Sequence, residues 1–132
     1  MDLSVESLHQ AGGFTGGPVK REVVWTVGDD EYKANVYIRP MSYHTATSDI
    51  AAVSGHGDVI AGRLSRCVCD KEGGPVFMVS DITGYNDDGT PVMVNGDDGD
   101  VERGPLNADL ANALMVLVGE VSGLGKKKPK AS

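Results

Sequence analysis

Residues 20–39, KREVVWTVGDDEYKANVYIR, decide the fold, because apolar and polar side chains alternate along two runs of this stretch. Val23, Trp25 and Val27 fall on one face of the first run. A period of two is typical of half-buried strands. With residues 28–31 as the turn, the stretch predicts a β-hairpin. The second run divides its side chains between two faces, with Tyr32, Ala34, Val36 and Ile38 on one and Lys33, Asn35, Tyr37 and Arg39 on the other.

The hairpin needs a packing partner, since an isolated two-stranded ribbon is only marginally stable in water. The sequence after Pro40 predicts helices that can supply it. Ser42 is placed to cap a helix that runs to about Val53. Asp58 is placed to cap a second helix, whose apolar residues at helical spacing are Ile60, Leu64, Cys67 and Val68.

The strongest apolar stripe lies in a last predicted helix, residues 105–121, with Asn107 as its cap and Ser122-Gly123 as its stop. The members of the stripe are Leu110, Leu114, Leu117, Val118 and Val121. Between the second and last helices we predict a turn at 70–74, an extended piece at 75–79 and a turn or helix from residue 80. Together these elements predict an α+β fold, in which an N-terminal β-hairpin packs on a small bundle of about three helices.

The chain divides into three predicted segments. Residues 1–18 are rich in glycine and form a flexible N-terminal lead. Residues 19–125 form a single domain, which carries an acidic loop insertion at 85–104 with a brief strand at 91–94. Residues 126–132 form a basic C-terminal tail. The length of 132 residues suits one compact domain.

Charge is distributed unevenly along this acidic chain, whose net charge is −7. Residues 85–103 hold six acids against Arg103, a local charge of −5, whereas the tail carries Lys126, Lys127, Lys128 and Lys130. An acidic body is not drawn to nucleic acid or to an anionic membrane. We therefore expect neither as a partner, and read the lysines as a solubilising tail.

The two cysteines, Cys67 and Cys69, indicate a reducing compartment. They lie on a predicted helix, where residues two apart do not share a face, so a disulfide between them is not expected. The chain also has no apolar run of about 18–20 residues and no signal-peptide pattern at its start. These features predict a cytoplasmic protein.

Candidate chemical sites fail on spacing. No register of residues 86–102 meets the calcium-loop pattern, and His9, His44 and His56 do not pair with Cys67 or an acid at zinc-ligand spacing. The glycines before Lys126 end a helix instead of opening one, which excludes a phosphate loop. We therefore predict no catalytic, cofactor-binding or metal-binding residues and no enzymatic activity.

Partner-binding residues cannot be assigned from these patterns. Trp25, the single tryptophan, suits a core anchor better than an interface position. The hairpin edge suits strand addition, and the last helix suits a helix-in-groove contact. The sequence does not decide which of these two surfaces binds a partner.

Two short motifs resemble phage tail assembly chaperones, and the resemblance covers roughly residues 19–128. One is the C-x-C-D-x-x-G-x-P-x-F segment, matched by Cys67, Cys69, Asp70, Gly73 or Gly74, Pro75 and Phe77. The other is the E-x-N/S-G-L-G ending, matched by Glu120, Ser122, Gly123, Leu124 and Gly125. The acidic insertion at 85–103 is the departure from this pattern, since it looks longer than the family usually carries.

The resemblance implies a non-catalytic factor of the host bacterial cytoplasm, made for virion morphogenesis by a phage or prophage. Such a factor would bind the tape measure protein, help to recruit tail tube protein, self-associate, and be absent from the mature virion. It also implies a longer form made by a programmed frameshift near Lys126–Lys128. The alternative is a structural minor tail or capsid-decoration protein.

Overall fold

A computed structural model describes residues 2–13, 16–42 and 58–123 of the chain. Their helices are α1 (Val5–Ala11), α2 (Val59–Cys67), α3 (Val79–Thr83) and α4 (Ala108–Val121). Their strands are β1 (Val19–Val27), β2 (Asp30–Ile38), β3 (Val68–Cys69), β4 (Met93–Gly96) and β5 (Gly99–Glu102). The predicted α+β class with an N-terminal hairpin is confirmed. None of the described helices is long and apolar enough to cross a bilayer.

The predicted hairpin is confirmed, but its turn is shorter than residues 28–31, because Asp30 and Glu31 already belong to the second strand. Strands β1 and β2 pair antiparallel, with Val27 opposite Asp30 and Val19 opposite Ile38. Gly28 closes the turn at a positive φ of 60°, which glycine adopts without steric cost. The predicted apolar face is the buried one at its inner end, where Val23, Val36 and Ile38 join the core.

Helix α4 packs on this face, and α2 packs against α4 and β3 in the same core. Asp58 caps α2 by accepting a hydrogen bond from Ala61 N at 2.8 Å, and Asn107 caps α4 by accepting one from Leu110 N at 3.1 Å. Both predicted caps are confirmed. The buried residues that these helices supply to the core are Ala61, Leu64, Cys67, Leu114 and Val118.

The predicted stripe of α2 was wrong at two residues. Ile60 is 54% exposed, and Ala61 is buried in its place. Val68 lies in β3, not in the helix, because the chain becomes extended after Cys67. Helical periodicity does not distinguish such alternatives when apolar residues lie on both sides of the stripe.

Strand β3 adds a third member to the sheet, which the sequence did not reveal. Its two residues pair antiparallel with the end of β2, Val68 opposite Ile38 and Cys69 opposite Tyr37. The sheet order is therefore β1-β2-β3. The placement of Cys69 on a helix was wrong, because it lies in β3.

The predicted loop at 85–104 was also wrong, because it contains a second hairpin. Strands β4 and β5 pair antiparallel around Asp97 and Asp98, with Gly96 opposite Gly99. Every residue of the two strands is exposed. Arg103 holds the hairpin to α3 by an ion pair with Asp81 at 3.0 Å. The acidic composition of the segment indicated a loop, although aspartates such as Asp97 and Asp98 are also common in the turns of hairpins.

The first eighteen residues contain an element that the sequence prediction omitted. Ser4 and Ser7 form a reciprocal capping box at the start of α1, and Gly12 ends the helix at a φ of 78°. The helix buries none of its residues. The predicted helix from Ser42 to Val53 falls largely, and the tail at 126–132 entirely, outside the described residues. The three-segment division stays a prediction.

Asp109 links α4 to the hairpin, since its Oδ2 accepts hydrogen bonds from Thr26 N at 2.8 Å and Thr26 Oγ1 at 3.2 Å. We expect Asp109→Ala to lower the free energy of unfolding by about 1 kcal/mol, because both donors return to water. Urea denaturation measures this change. Asp109→Asn, which keeps an acceptor oxygen, is the control and should lose less; equal losses would contradict the hydrogen-bond explanation.

Candidate functional site

The described residues contain no group of three His, Cys, Asp or Glu side chains that could hold a metal ion. The acidic residues of segment 85–104 are instead spread over turns and strands. Asp88, for example, accepts hydrogen bonds from Thr90 Oγ1 at 2.6 Å and Thr90 N at 3.0 Å. The Thr90 hydroxyl, more than its N–H, lowers the pKa of this carboxyl. Asp88 thus stabilises its own turn.

An open groove of about 350 Å³, lined mostly by apolar residues, lies beside the sheet. One wall is the core face of the hairpin, and the other is α4 together with the extended segment before α3. We call this feature the hairpin groove. Its apolar lining residues are Val23, Trp25, Ala34, Val36, Val68, Val76, Phe77, Leu110 and Leu114.

Trp25 has features of both a core anchor and an interface residue. It packs against the core while remaining half-buried, and its ring stacks on Tyr32 with centroids 5.6 Å apart and planes 23° apart. Tyr32 is 46% exposed. The aromatic pair therefore closes the hairpin-tip end of the sheet face that lines the groove, and a bound partner can reach it.

The outer edge of β2 borders the hairpin groove and, among the described residues, is unpaired along most of its length. Along β2, strand β3 reaches only Tyr37 and Ile38, because the chain turns away at Asp70. This turn is stabilised by Asp70 Oδ1, which accepts hydrogen bonds from Glu72 N and Gly74 N. In the described part of the chain, no strand pairs with the edge of β2 between residues 30 and 36.

The outer edge of β1 differs in character, although no described strand pairs with it. Asp109 occupies one of its N–H groups, that of Thr26. Lys20, Arg21 and Glu22 place charges along the other end. Charged side chains and occupied donors are common means of protecting a sheet edge from unwanted pairing. The edge of β2 also carries charges, at Glu31 and Lys33, so the two edges differ chiefly in the hydrogen bond that Asp109 accepts from Thr26 N on the β1 side.

Acidic side chains surround this region. The hairpin tip carries Asp29, Asp30 and Glu31 in succession, all exposed. Lys33 approaches Glu31 at 3.9 Å, but both side chains are more than half exposed. The described residues together carry 18 acidic and 8 basic side chains, a net charge of −10. The groove is therefore an apolar feature on a strongly negative body.

Cys69 lines the groove but is 3% exposed, and its Sγ donates a hydrogen bond to Tyr37 O at 3.4 Å. Burial raises the pKa of this thiol, and nearby Arg39 offsets part of the rise. The thiol consequently stays protonated to higher pH than a free cysteine. It is poorly suited to act as a nucleophile.

We expect iodoacetamide to alkylate Cys69 more than about tenfold more slowly in the folded protein than in urea, because both burial and protonation oppose reaction. Mass spectrometry of a pH series measures the rates. The folded-state rate should begin to rise at higher pH than the rate in urea. Equal rates in the two states would contradict the burial of this thiol.

The sequence suggested the hairpin edge and the last helix as candidate partner surfaces, but it did not indicate that the two lie side by side. The hairpin groove forms because Leu110 and Leu114 of α4, which packs mainly on β1, line the same concavity as Ala34 and Val36 of β2. In the sequence, only Asp70 of the C-x-C-D segment indicated that β3 would be short, because its side chain stabilises a turn directly after the strand. The early chain turn at this residue is what exposes the edge.

Comparison with known proteins yields one family. A family model described as "Phage tail assembly chaperone, TAC" matches residues 6–122. The match spans α1, both hairpins and α4, so it includes the acidic segment that had looked like an insertion. No curated protein and no solved structure matches the chain.

Proposed function

The chain belongs to the phage tail assembly chaperone family, and from this premise we propose that it binds the tape measure protein during tail assembly without catalysing a reaction. It keeps that protein soluble and helps to recruit tail tube protein. We place this action in the host bacterial cytoplasm and expect the chaperone to be absent from the mature virion.

The observation that carries this proposal is the hairpin groove on an acidic body. A chaperone for an aggregation-prone partner needs apolar surface within reach, and the groove supplies it through Trp25, Phe77 and Leu110. It must also stay soluble while holding that partner. A net charge of −10 over the described residues favours solubility through mutual repulsion between complexes.

Two further parts of the proposal concern assembly and expression. Self-association along the partner would let many copies cover a long protein. A longer form would arise by frameshifting at the codons for Lys126–Lys128. A gene without a slippery codon run there, and without an overlapping downstream frame, would exclude the longer form.

Co-expression with the tape measure protein of the same phage tests the central claim. We expect the tape measure protein to become soluble and to co-purify with this chain. Ala34→Glu, which places a carboxylate in the groove wall, should reduce the soluble yield severalfold. Val24→Glu is the matched control, because Val24 lies on the opposite face of the sheet. Failure of the unaltered chain to solubilise or co-purify with the tape measure protein would refute the function.

The alternative function, a structural minor tail or capsid-decoration protein, predicts a different distribution. Such a protein would remain at many copies in purified particles, whereas a chaperone should be absent. Quantitative mass spectrometry of particles against infected-cell lysate separates the two. The family match favours the chaperone.

A further inference from the structure

We propose that the open edge of β2 receives an extended apolar segment of the bound tail protein, paired as an added antiparallel strand with its basic C-terminal end at the hairpin tip. This inference rests on the proposed function and specifies its binding mode. The added strand continues the line of β3 beyond Asp70, where the chain itself turns away.

Backbone groups suited to this pairing follow from the register. Residues of an antiparallel strand direct their N–H and C=O groups alternately to the two neighbouring strands. Arg39 N donates to Cys67 O at 2.7 Å, and Tyr37 pairs with Cys69, so odd-numbered residues of β2 face β3. By the same alternation, Asn35, Lys33 and Glu31 present their backbone groups to the open edge.

The hairpin groove lies where the side chains of an added strand would project. Ala34 and Val36 of β2 line it, and α4 closes the opposite side with Leu110 and Leu114. Every second side chain of the added strand would enter this groove, since successive side chains point to opposite sheet faces. Spanning residues 31–35 takes about five to seven residues of the partner. Apolar residues at alternate positions therefore suit the site.

Charge specifies the end of the partner. The added strand would run past the hairpin tip, where Asp29, Asp30 and Glu31 follow one another. Lysine or arginine after the apolar positions would meet these carboxylates, whereas an acidic end would be repelled. An antiparallel strand that starts beside Asp70 ends at this tip, so the basic residues belong at its C-terminal end.

Strand addition explains the open edge better than a docked helix does. A helix satisfies its own backbone groups and would leave those of Glu31, Lys33 and Asn35 to water. An added strand pairs them and fills the groove at the same time. The two edges of the hairpin also differ as this mode requires, because Asp109 occupies the Thr26 N–H on the β1 side.

The decisive test compares two prolines placed opposite each other in the hairpin. Lys33 and Val24 are cross-strand neighbours. Proline at Lys33 removes an N–H from the open edge of β2, and proline at Val24 removes one from the outer edge of β1. The probe is an acetylated peptide with valine and threonine at alternate positions and two C-terminal lysines. A peptide with the lysines at its N-terminus serves as the orientation control.

We expect the probe to shift the amide resonances of Glu31, Lys33 and Asn35, with Lys33→Pro weakening binding at least about tenfold and Val24→Pro retaining it. Thermal melts establish that both variants fold. If either variant does not fold, two peptides N-methylated at alternate residues replace the proline variants. One carries its methyl groups on the nitrogens that would pair with β2, and the other carries them on the nitrogens that would point away. Only the first set of methyl groups should abolish binding. Equal loss in both variants, equal binding of the reversed peptide, or shifts confined to β1 would overturn the proposal.

Sedimentation of the unaltered protein with and without the probe addresses a second copy of this chain as the occupant. A dimer that the probe dissociates would mean that another copy fills the edge, which would overturn the assignment to a tail protein. Co-expression separates this inference from the function. If Lys33→Pro still solubilises the tape measure protein fully, the binding mode is wrong and the chaperone function stands. If the unaltered chain does not solubilise it, the function fails.

Discussion

Replacing Leu64 with alanine is expected to lower the free energy of unfolding by about 2–5 kcal/mol. Leu64 is fully buried on α2, where it belongs to the core shared with the hairpin and α4. Alanine leaves a cavity that this small, already well-filled core cannot close. Because domains are stable by only about 5–15 kcal/mol in total, the variant should approach unfolding at host temperature.

Ile60→Ala is the matched control for this prediction. Ile60 lies one turn earlier on the same helix, and helical spacing assigns it to the same stripe, yet its side chain is 54% exposed. Its truncation should change stability by no more than about 0.5 kcal/mol. Urea denaturation of both variants measures the difference. Similar losses of stability at the two positions would mean that α2 is rotated about its own axis relative to the orientation described.

Gly84→Ala is expected to destabilise the protein by about 2–5 kcal/mol, from two separate costs. Gly84 ends α3 at a φ of 82°, a left-handed conformation that costs other residues about 1–2 kcal/mol. A Cβ there would also lie 2.7 Å from Gly104 C and Pro105 N, which are backbone atoms. The chain would have to move where the second hairpin returns to α4, adding about 1–3 kcal/mol.

Gly89→Ala separates these two costs. Gly89 has nearly the same φ, 85°, but no atom lies within 4 Å of its Cβ position. Only the conformational cost of about 1 kcal/mol should appear. Denaturation curves of the two variants give the cost of the close approach by subtraction. Equal destabilisation would mean that the segment before α4 does not pack against Gly84.

The binding mode has a consequence for release. Strand addition to a short edge forms few hydrogen bonds, and each contributes about 0.5–1.5 kcal/mol net. A single site of this kind holds its partner weakly. Many copies along one long protein would bind it firmly through avidity while each contact exchanges rapidly.

Much of the fold was predictable because its signals are local. Period-two alternation identified β1 and β2, and the residues Asp58 and Asn107 marked where α2 and α4 begin. The stripe of α4 was right at its centre, where Leu114 and Val118 are buried. In each case the residues that carry the signal lie within a few positions of one another, so neighbouring side chains alone decide the outcome.

Predictions were wrong in segments whose overall amino-acid composition indicated a loop although their local sequence pattern allowed a strand or helix. The six acids of segment 85–103 indicated a solvated loop, but Val94 and Val101 pair across a hairpin turn at Asp97 and Asp98. Strands with every residue exposed bury no apolar face, so they carry little periodic signal. For α1, the capping box of Ser4 and Ser7 was present in the sequence but went unrecognised among the glycines.

The sequence by itself determined the hairpin, the helix caps, the acidic charge and the absence of recognisable catalytic spacing, because these depend on residues close together in the chain. Only the tertiary structure decided where the hairpin groove lies. Cys69 follows a helix, yet it becomes a strand residue because Tyr37, 32 positions earlier, offers a ladder partner. The turn at Asp70 then stops that ladder, and Leu110 and Leu114 complete an apolar groove beside the open edge. Contacts between such distant residues leave no period in the sequence, since their geometry arises only when the sheet and α4 pack together.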